Sequence, residues 1–398
     1  MTDGNIRVEA PNPAANPYTP GAGSRPPLLA GRDDELDDAR YLIERLLHGR
    51  IEQPRMLVGV RGVGKTVLLL AIGDLASSAG CTAIHLEAAA GADLLTGLGR
   101  ELHRALLRLS SMTTRARHAL SVLASFAVSA GHISLEIDAK PATGHGDSRD
   151  LIFDTVDLIR AVGEAAHDAG RPLLLTLDEL QDVGEQQLKA LLTGMHRSVG
   201  DGIPIGLIGA GLPGAPGYAA KVSSYAERMF RVHPIERLSP EAAASAIVDP
   251  AGEIGVEYER EAVERLVELS DGYPYFVQLY AATVWTTASH HPIAIADVEL
   301  AAPLARRELE RSFYLARLER ITAETERAYL LALAELGPGE HRSSQVAAAL
   351  GRKLESVGTT RRRLLDKGLL YSSGRGLVAF SVPGFDAYLR EHHDVIRG

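Results

Sequence analysis

The sequence predicts an α/β protein with a parallel sheet, followed by a helical region and a C-terminal module of three helices and a hairpin. Three observations lead to this prediction. A short apolar run at 55–58 passes through a glycine-rich segment into a second apolar run at 67–72, the pattern of a strand, a loop and a helix. The run PLLLTL at 172–177 is continuously apolar, as expected of a strand buried within a parallel sheet. From residue 238 onwards, apolar residues recur mainly at helical spacing.

Length and composition limit the class of protein. A chain of 398 residues is long enough for about two or three domains. Its single cysteine, Cys81, excludes an internal disulfide framework and fits a reducing compartment, so we expect a cytoplasmic protein. No apolar run approaches the roughly 18 residues of a membrane span, and the N-terminus lacks a signal-peptide pattern. We therefore expect no membrane association.

Charge is unevenly distributed along the chain. The net charge of −9 argues against binding of nucleic acid by the whole surface. Residues 340–398 contain ten Lys or Arg against six Asp or Glu, a net charge of +4, which leaves −13 for the remainder. A basic C-terminal module on an acidic body permits local contact with DNA.

The first 27 residues are rich in proline, which disfavours helices and central strands. Two interpretations stay open for this segment: a disordered tail, or an extended arm lying on the next domain. An amphipathic helix follows the entry sequence GRDDEL at 31–36.

The segment GVRGVGKT at 59–66 has the pattern of a phosphate-binding loop. Gly59, Gly62 and Gly64 let the backbone bend so that several N–H groups converge on one polyphosphate. A helix that starts near Lys65 adds its positive N-terminal dipole. Lys65 would reach the β- and γ-phosphates, and the Thr66 hydroxyl would complete a Mg²⁺ shell. The predicted nucleotide-binding residues of this loop are Gly59, Val60, Arg61, Gly62, Val63, Gly64, Lys65, Thr66 and Val67. The alternative is a glycine turn with a solvent-facing lysine.

Two acidic residues follow the buried run at 172–177, namely Asp178 and Glu179. Carboxylates at the C-terminal end of such a strand lie where open α/β sheets bind ligands. Asp178 would hold Mg²⁺ through water, and Glu179 would orient and deprotonate the attacking water. The alternative is a pair of acids that opens the helix at 186–198.

The elements between and after these motifs are expected as strands at 82–86 and 203–208, an alternating strand or hairpin arm at 133–137, and helices at 92–109, 114–130 and 151–169. Arg228 lies in SYAERMF at 224–230 and has two interpretations. It extends toward a γ-phosphate, in cis or from a neighbouring subunit, or it is a surface arginine paired with Glu227. Helices follow from Ser239, which is an N-cap residue, and from Pro274.

One or two helices are expected over 308–336, followed by helices near 343–349 and 356–367 and a hairpin at 369–380. Three helices and a hairpin are the order of a winged helix-turn-helix. On the helix at 356–367, Thr359, Arg362 and Arg363 lie opposite the side that packs inward. With Arg375 in the hairpin turn, they are the candidate contacts to double-stranded DNA. Arg361 falls on the apolar side and should snorkel, and Asp366 shares the exposed face and would repel phosphate. Winged helices also dock on proteins, so both outputs stay open.

Together these motifs resemble the AAA+ ATPases of the origin-recognition and archaeal initiator type, and their relatives among the STAND signalling ATPases. The residues that carry the resemblance are GRDDEL at 31–36, GVRGVGKT at 59–66, LLLTLDEL at 173–180, SYAERMF at 224–230 and DGYPYF at 271–276, with the C-terminal stretch 361–385. The resemblance covers about residues 30–398.

This resemblance implies a P-loop NTPase of the AAA+ type with a parallel-sheet core at 30–235, a helical lid at 236–315 and a winged-helix domain at 316–398, after a proline-rich arm at 1–29. It implies Walker A roles for Lys65 and Thr66, Walker B roles for Asp178 and Glu179, and an arginine-finger role for Arg228. Tyr273 and Pro274 would pack on the nucleotide, and Arg32 would lie near the adenine.

The chain departs from the family pattern in two places. Many AAA+ proteins place Asn, Thr or Ser after the fourth core strand, where this chain has Gly209, Ala210 and Gly211. A clear sensor-2 arginine in the lid is also missing. We therefore expect a slow Mg²⁺-dependent ATPase that binds ATP and ADP as a switch and acts on DNA through the winged helix. The alternative is a STAND-like scaffold that binds a protein partner, with slow or no hydrolysis; either form permits a homo-oligomer.

Overall fold

A computed structural model describes residues 9–21, 23–109, 113–129, 140–142, 144, 148 and 150–397. The chain folds into two compact units. The sheet unit comprises Asp34–Gly59 and Leu68–Pro234, and the C-terminal unit comprises Met1–Asp33, Val60–Val67 and Ile235–Gly398. The alternating run expected as a strand at 133–137 lies outside the described residues.

The sheet unit alternates strands with helices, as the sequence predicts. Its elements in chain order are α1 (Asp33–Leu47), β1 (Arg55–Val58), α2 (Lys65–Ala79), β2 (Thr82–Glu87), α3 (Leu94–Arg108), α4 (Thr114–Ser129), α5 (Leu151–Asp168), β3 (Leu173–Asp178), α6 (Glu185–Gly200), β4 (Ile205–Gly211), α7 (Ala215–Val222), α8 (Ala226–Met229) and β5 (Arg231–Pro234). Aspartates cap two of these helices: Asp93 accepts hydrogen bonds at the start of α3, and Asp150 does so at the start of α5.

All pairings among the five strands β1–β5 are parallel, in the order β2-β3-β4-β1-β5. The prediction of a parallel sheet is therefore confirmed. β3 and β4 are buried along their whole length, which explains why apolar and small residues dominate their sequences up to Asp178 at the end of β3. Since the strands are parallel, the carboxyl ends of β1 and β3 lie at the same edge of the sheet, with β4 between them.

A charged network is buried at the amino end of β1, within the run that the sequence suggested was apolar. Arg55 is 1% exposed and donates to Asp38 at 2.8 Å and to Glu52 at 3.2 Å. Burial alone would raise the pKa of Asp38, but the hydrogen bonds and the charge of Arg55 outweigh it, so this pKa is lowered. The network ties α1 to β1, and Arg231 extends it to β5 with a 3.3 Å contact to Asp38.

In the described part of the C-terminal unit, the regular elements are helices and three short strands. Its elements are α9 (Pro240–Gly252), α10 (Arg260–Ser270), α11 (Pro274–Thr287), α12 (Ile295–Leu309), a π-helical turn (Glu310–Leu315), α13 (Ala316–Leu318), α14 (Glu324–Glu335), β6 (His341–Arg342), α15 (Ser343–Ala349), α16 (Leu354–Asp366), β7 (Leu370–Tyr371), β8 (Leu377–Phe380), α17 (Phe385–Glu391) and α18 (His393–Arg397). Residues 236–315 and 316–398 fall into this one unit, so the boundary at 315 stays a prediction.

The described part of the proline-rich segment lies on helices of the C-terminal unit. The Trp285 indole donates to the carbonyl of Asn12 at 2.8 Å, and the Tyr18 hydroxyl donates to the carbonyl of Ile247 at 2.5 Å. Tyr18 is 4% exposed, and burial raises the pKa of its phenol above the ordinary value. Residues 9–21, which include a 3-10 turn at Pro13–Ala15, therefore pack as an arm on α9 and α11.

Candidate nucleotide-binding site

The glycine-rich loop at 59–66 joins the end of β1 to the start of α2. Gly62 and Gly64 have φ angles of +85° and +91°, in a region that residues with a Cβ rarely adopt. A loop bent in this way lets successive main-chain N–H groups form a concave anion site at the N-terminus of a helix. The strand, loop and helix that the sequence predicts here are therefore present, with two of the three glycines at positive φ.

Lys65 is the first residue of α2 and is only 7% exposed. Its ammonium donates to the carbonyl of Val60, at the other end of the loop, at 3.0 Å. Thr66 and Val67 follow it and are partly buried, whereas Val63 is 1% exposed. The lysine is thus directed back over its own loop rather than into solvent, against the alternative of a surface lysine.

Residues 60–67 of the loop belong to the C-terminal unit, and hydrogen bonds within that unit hold their main chain. The N–H of Arg61 donates to the carbonyl of Ser381 at 3.0 Å, just beyond β8. The N–H of Tyr275 donates to the carbonyl of Gly62 at 3.4 Å. The guanidinium of Arg32 donates to the carbonyl of Val63 at 3.1 Å. Sequence reasoning predicted Arg32 as a residue near the adenine, and the structure places it on the loop.

An aromatic pair lies beside Gly62. The rings of Tyr275 and Phe313 stack with centroids 5.1 Å apart, and Phe313 comes within 3.7 Å of the position that a Cβ on Gly62 would occupy. Arg317 lies over the Phe313 ring at 4.3 Å. Burial, followed by the charges of Arg61 and Arg320, lowers the pKa of Arg317 to about 10. No sequence motif marks Phe313 or Arg317, and both were missed by sequence reasoning.

The predicted packing residues Tyr273 and Pro274 are the N-cap and the first residue of α11. Tyr273 is partly buried, with its ring 5.5 Å from that of Phe276, and burial raises its pKa. The described contact with the loop comes from the next residue, Tyr275, through its main chain. A contact between Tyr273 or Pro274 and a nucleotide stays a prediction.

Within the sheet unit, Asp178 is the last residue of β3 and is 1% exposed. Its carboxylate accepts the N–H of Glu179 at 2.8 Å. Glu179 has a φ of +50°, a left-handed conformation that is uncommon for residues other than glycine. Backbone strain of this kind is concentrated at functional sites.

Gln181 was missed by sequence reasoning. Its side-chain N–H donates to the carboxylate of Glu179, and its side-chain oxygen accepts the N–H of Leu212 at 2.9 Å. A Cβ on Gly211, at the end of β4, would lie 2.7 Å from that oxygen. The Gln181 amide therefore fills the space where the family resemblance predicts a polar side chain after β4.

Arg228 is exposed in the short helix α8, and its carbonyl accepts from the side chain of Gln53 at 3.2 Å. Both interpretations of Arg228, a residue reaching a γ-phosphate and a surface arginine paired with Glu227, stay open. Its role as an arginine finger stays a prediction.

The candidate DNA contacts are all exposed. Thr359, Arg362 and Arg363 lie on α16, whose buried side chains are Val357 and Leu364, and Arg375 lies in the turn between β7 and β8. The Nε of Arg362 lies 3.7 Å from Oδ1 of Asp366. This ion pair is exposed, and exposed pairs contribute little to stability.

Arg361, expected to snorkel, turns instead toward the hairpin. Its guanidinium donates to the hydroxyl of Ser372 and the carbonyl of Leu377, both at 3.0 Å. It therefore ties α16 to the turn that carries Arg375.

Two family models match the chain. Residues 28–208 match the model described as AAA ATPase domain, and residues 311–389 match Domain of unknown function (DUF8462). Comparison with curated proteins finds no match. In the parts of the chain that the structure describes, no helix is long and apolar enough to cross a membrane.

Among solved structures, the chain is similar to the Walker-type ATPase PABY2304 of Pyrococcus abyssi, with a TM-score of 0.56 and 15% identity over 91% of this chain and 96% of that one. The Orc1 protein of Aeropyrum pernix in complex with DNA gives a TM-score of 0.45 at 15% identity, over 93% and 94% of the two chains. The Cdc6p of Pyrobaculum aerophilum gives 0.46 at 14% identity, over 98% and 99%. The fold likeness rests on the first of these. Together with the loop geometry, the match over residues 28–208 supports an AAA+ P-loop ATPase domain in this part of the chain.

Proposed function

We propose that the protein is a Mg²⁺-dependent, ATP-binding molecular switch that hydrolyses ATP slowly and acts on double-stranded DNA through a C-terminal winged helix. The single observation that carries this proposal is the loop at 59–66, with two glycines at positive φ and Lys65 directed over it at the start of α2. We place this activity in the cytoplasm, because the only cysteine is buried and reduced thiols fit that compartment.

The loop would bind the phosphates of ATP and ADP through its main-chain N–H groups and the Lys65 ammonium. The Lys65 ammonium would exchange the carbonyl of Val60 for a phosphate oxygen. Because β1 and β3 end at the same edge of the sheet, the loop starts at the edge where Asp178 lies.

A hydroxyl and a buried carboxylate suit Mg²⁺, which usually takes one or two protein ligands together with phosphate oxygens and water. Thr66 and Asp178 would hold the ion, and Mg²⁺ would supply charge stabilisation for the leaving phosphate. Among the described residues, no three His, Cys, Asp or Glu side chains group around one point. That finding is compatible with this sparser set of ligands.

Hydrolysis would use Glu179 to orient and deprotonate water, with Arg228 completing the site in cis or from a second copy of the chain. We attribute slow turnover to the end of β4, where Gly209–Gly211 offers no polar side chain to the water. The hydrogen bond from Gln181 would hold the Glu179 carboxylate in the orientation that activates the water.

Calorimetry with purified protein, Mg²⁺ and ATP tests the nucleotide site. Lys65→Ala should abolish binding, whereas Glu179→Gln should retain ATP and stop turnover. The exposed Lys189, replaced by alanine, is the matched control and should bind as the wild type does. No uptake of ATP or ADP by the wild type would refute the proposal, and unchanged turnover in Glu179→Gln would remove Glu179 from its role.

Two features support the proposed binding to DNA. Helices α14, α15 and α16 are followed by the β7–β8 hairpin, and exposed arginines lie on α16 and in the hairpin turn. An electrophoretic mobility shift across a salt series, with and without ATP, tests it. Arg362→Ala/Arg363→Ala should weaken binding and make it less salt-dependent, by about one counterion for each lost phosphate contact. The double variant Arg307→Ala/Arg311→Ala removes two exposed arginines elsewhere and should not.

A signalling scaffold that docks on a protein partner is the second candidate. It is favoured by the mixed charge of α16, where Asp366 lies beside Arg362 and Glu355 is also exposed. If neither double variant changes the affinity for DNA, the result would favour the scaffold. Sedimentation with ADP and with ATP would show whether a homo-oligomer forms, which a trans role of Arg228 requires.

A further inference from the structure

We propose that Arg32 is a positioning residue for the phosphate-binding loop: its guanidinium fixes the Val63–Gly64 peptide so that the Gly64 N–H is directed into the anion site. This inference rests on the proposed nucleotide function of the loop. It differs from a direct contact between Arg32 and the nucleotide, which is what the sequence suggests.

The guanidinium of Arg32 is held among main-chain carbonyls. Its Nη2 donates to the carbonyl of Val63 at 3.1 Å and to that of Glu236 at 2.6 Å. Its Nη1 donates to the carbonyl of Gly31 at 3.2 Å. The residue is 7% exposed, so these bonds form in an environment where an unpaired carbonyl would be costly. One side chain thereby joins the loop to the segment that follows β5.

The planarity of the peptide bond turns this contact into a constraint on an N–H group. In a trans peptide, the C=O of one residue and the N–H of the next point in opposite directions in one plane. A donor that holds the carbonyl of Val63 therefore directs the N–H of Gly64 away from Arg32. The φ of +91° at Gly64 is compatible with the bent backbone of an anion site.

The preceding peptide is held in the same way. The N–H of Tyr275 donates to the carbonyl of Gly62, which sets the direction of the Val63 N–H. Two consecutive peptides of the loop are thus fixed from their carbonyl sides. The hydrogen bond from Tyr275 uses its main chain, so a substitution of that residue would leave the bond in place. The hydrogen bond from Arg32 uses its side chain, so a substitution can remove it.

Arginine suits this position better than lysine. Its planar group carries five donors in a fixed arrangement and stays charged when buried, so it can serve Val63, Glu236 and Gly31 together. Lysine supplies a positive charge with fewer fixed directions. Arg32→Lys should therefore restore only part of what Arg32→Ala removes.

The test measures binding of ADP, and of pyrophosphate by competition against a fluorescent ADP analogue, in Arg32→Ala, Arg32→Lys and wild type. We expect Arg32→Ala to weaken ADP and pyrophosphate by the same factor, about 10- to 100-fold, because both lose the same oriented amide. Arg32→Lys should lose less for both ligands. Hydrogen exchange in the peptide covering 59–66 should be faster in Arg32→Ala. Arg40→Ala, which removes an exposed arginine of α1, is the control and should match wild type.

A loss for ADP without a loss for pyrophosphate would overturn the inference, because Arg32 would then act on the nucleoside. Unchanged affinity for both, or failure of pyrophosphate to compete on the wild type, would also overturn it. If Arg32→Ala does not fold, Arg32→Lys decides: a loss shared by ADP and pyrophosphate supports positioning, and any other pattern contradicts it. A wild type that binds no adenine nucleotide at all would instead refute the proposed function.

Discussion

The conformation of Gly64 gives the sharpest quantitative prediction about the loop. Its φ is +91°, and a Cβ built there would meet no atom within 4 Å outside its immediate neighbours. The substitution Gly64→Ala therefore tests the backbone conformation without a steric clash against other parts of the protein. Gly73, later in α2, offers the matched control, because a Cβ there also meets open space and its φ is not positive.

Holding a residue with a Cβ in the left-handed region costs about 1–2 kcal/mol. A cost of this size shifts the loop away from the bent conformation by a factor of about 5–30. Since only the bent loop would bind phosphate, the affinity for ATP and ADP should fall by the same factor. Gly73→Ala lies within a helix, where it should instead stabilise the fold by about 0.5–1 kcal/mol.

Calorimetric titration of both variants with ADP and Mg²⁺ measures the effect, and thermal unfolding checks that both are folded. We expect weaker binding in Gly64→Ala and wild-type binding in Gly73→Ala. Equal affinities in the two variants would show that the main-chain conformation at Gly64 does not set phosphate binding. The loop would then not be the phosphate site inferred from its conformation, even if ATP bound elsewhere.

Two further predictions concern the sheet unit. Gln181→Ala should lower kcat about tenfold with little change in ATP affinity, because it removes the hydrogen bond that orients the Glu179 carboxylate. Gln186→Ala, at an exposed position, is the control. Equal kcat values in the two variants would refute a role of Gln181. Burial lowers the pKa of His233 below its ordinary value of 6.5 although Asp38 lies 3.5 Å away, so this histidine is held neutral in the fold. The free energy of unfolding should therefore fall as pH drops from about 6.5 toward the folded pKa. Urea denaturation at pH 7.5 and 5.5 should show a smaller decline in His233→Gln, and an equal decline would contradict this.

The local elements of the site could be predicted because each has a sequence signal of its own. Glycines and a lysine at fixed spacing marked the loop, and an apolar run that ended in two acids marked β3 and Asp178. Arg55 shows the limit, because its neighbours are apolar and only the structure reveals the carboxylates that neutralise it.

Two kinds of interaction could not be predicted from the sequence: those that use main-chain groups, and those between segments far apart in the chain. Arg61 bonds Ser381 through an N–H and a carbonyl, groups that nearly every residue possesses, so no side-chain pattern could mark the pair. The position of Gln181 could not be predicted for another reason. Its place near Gly211 depends on how the turn after β3 packs against the end of β4. Beside Gly211, which has no side chain, lies an amide contributed by a residue 30 positions earlier in the chain. A departure from a family motif therefore argues for lost chemistry only after the space beside it has been inspected for a substitute.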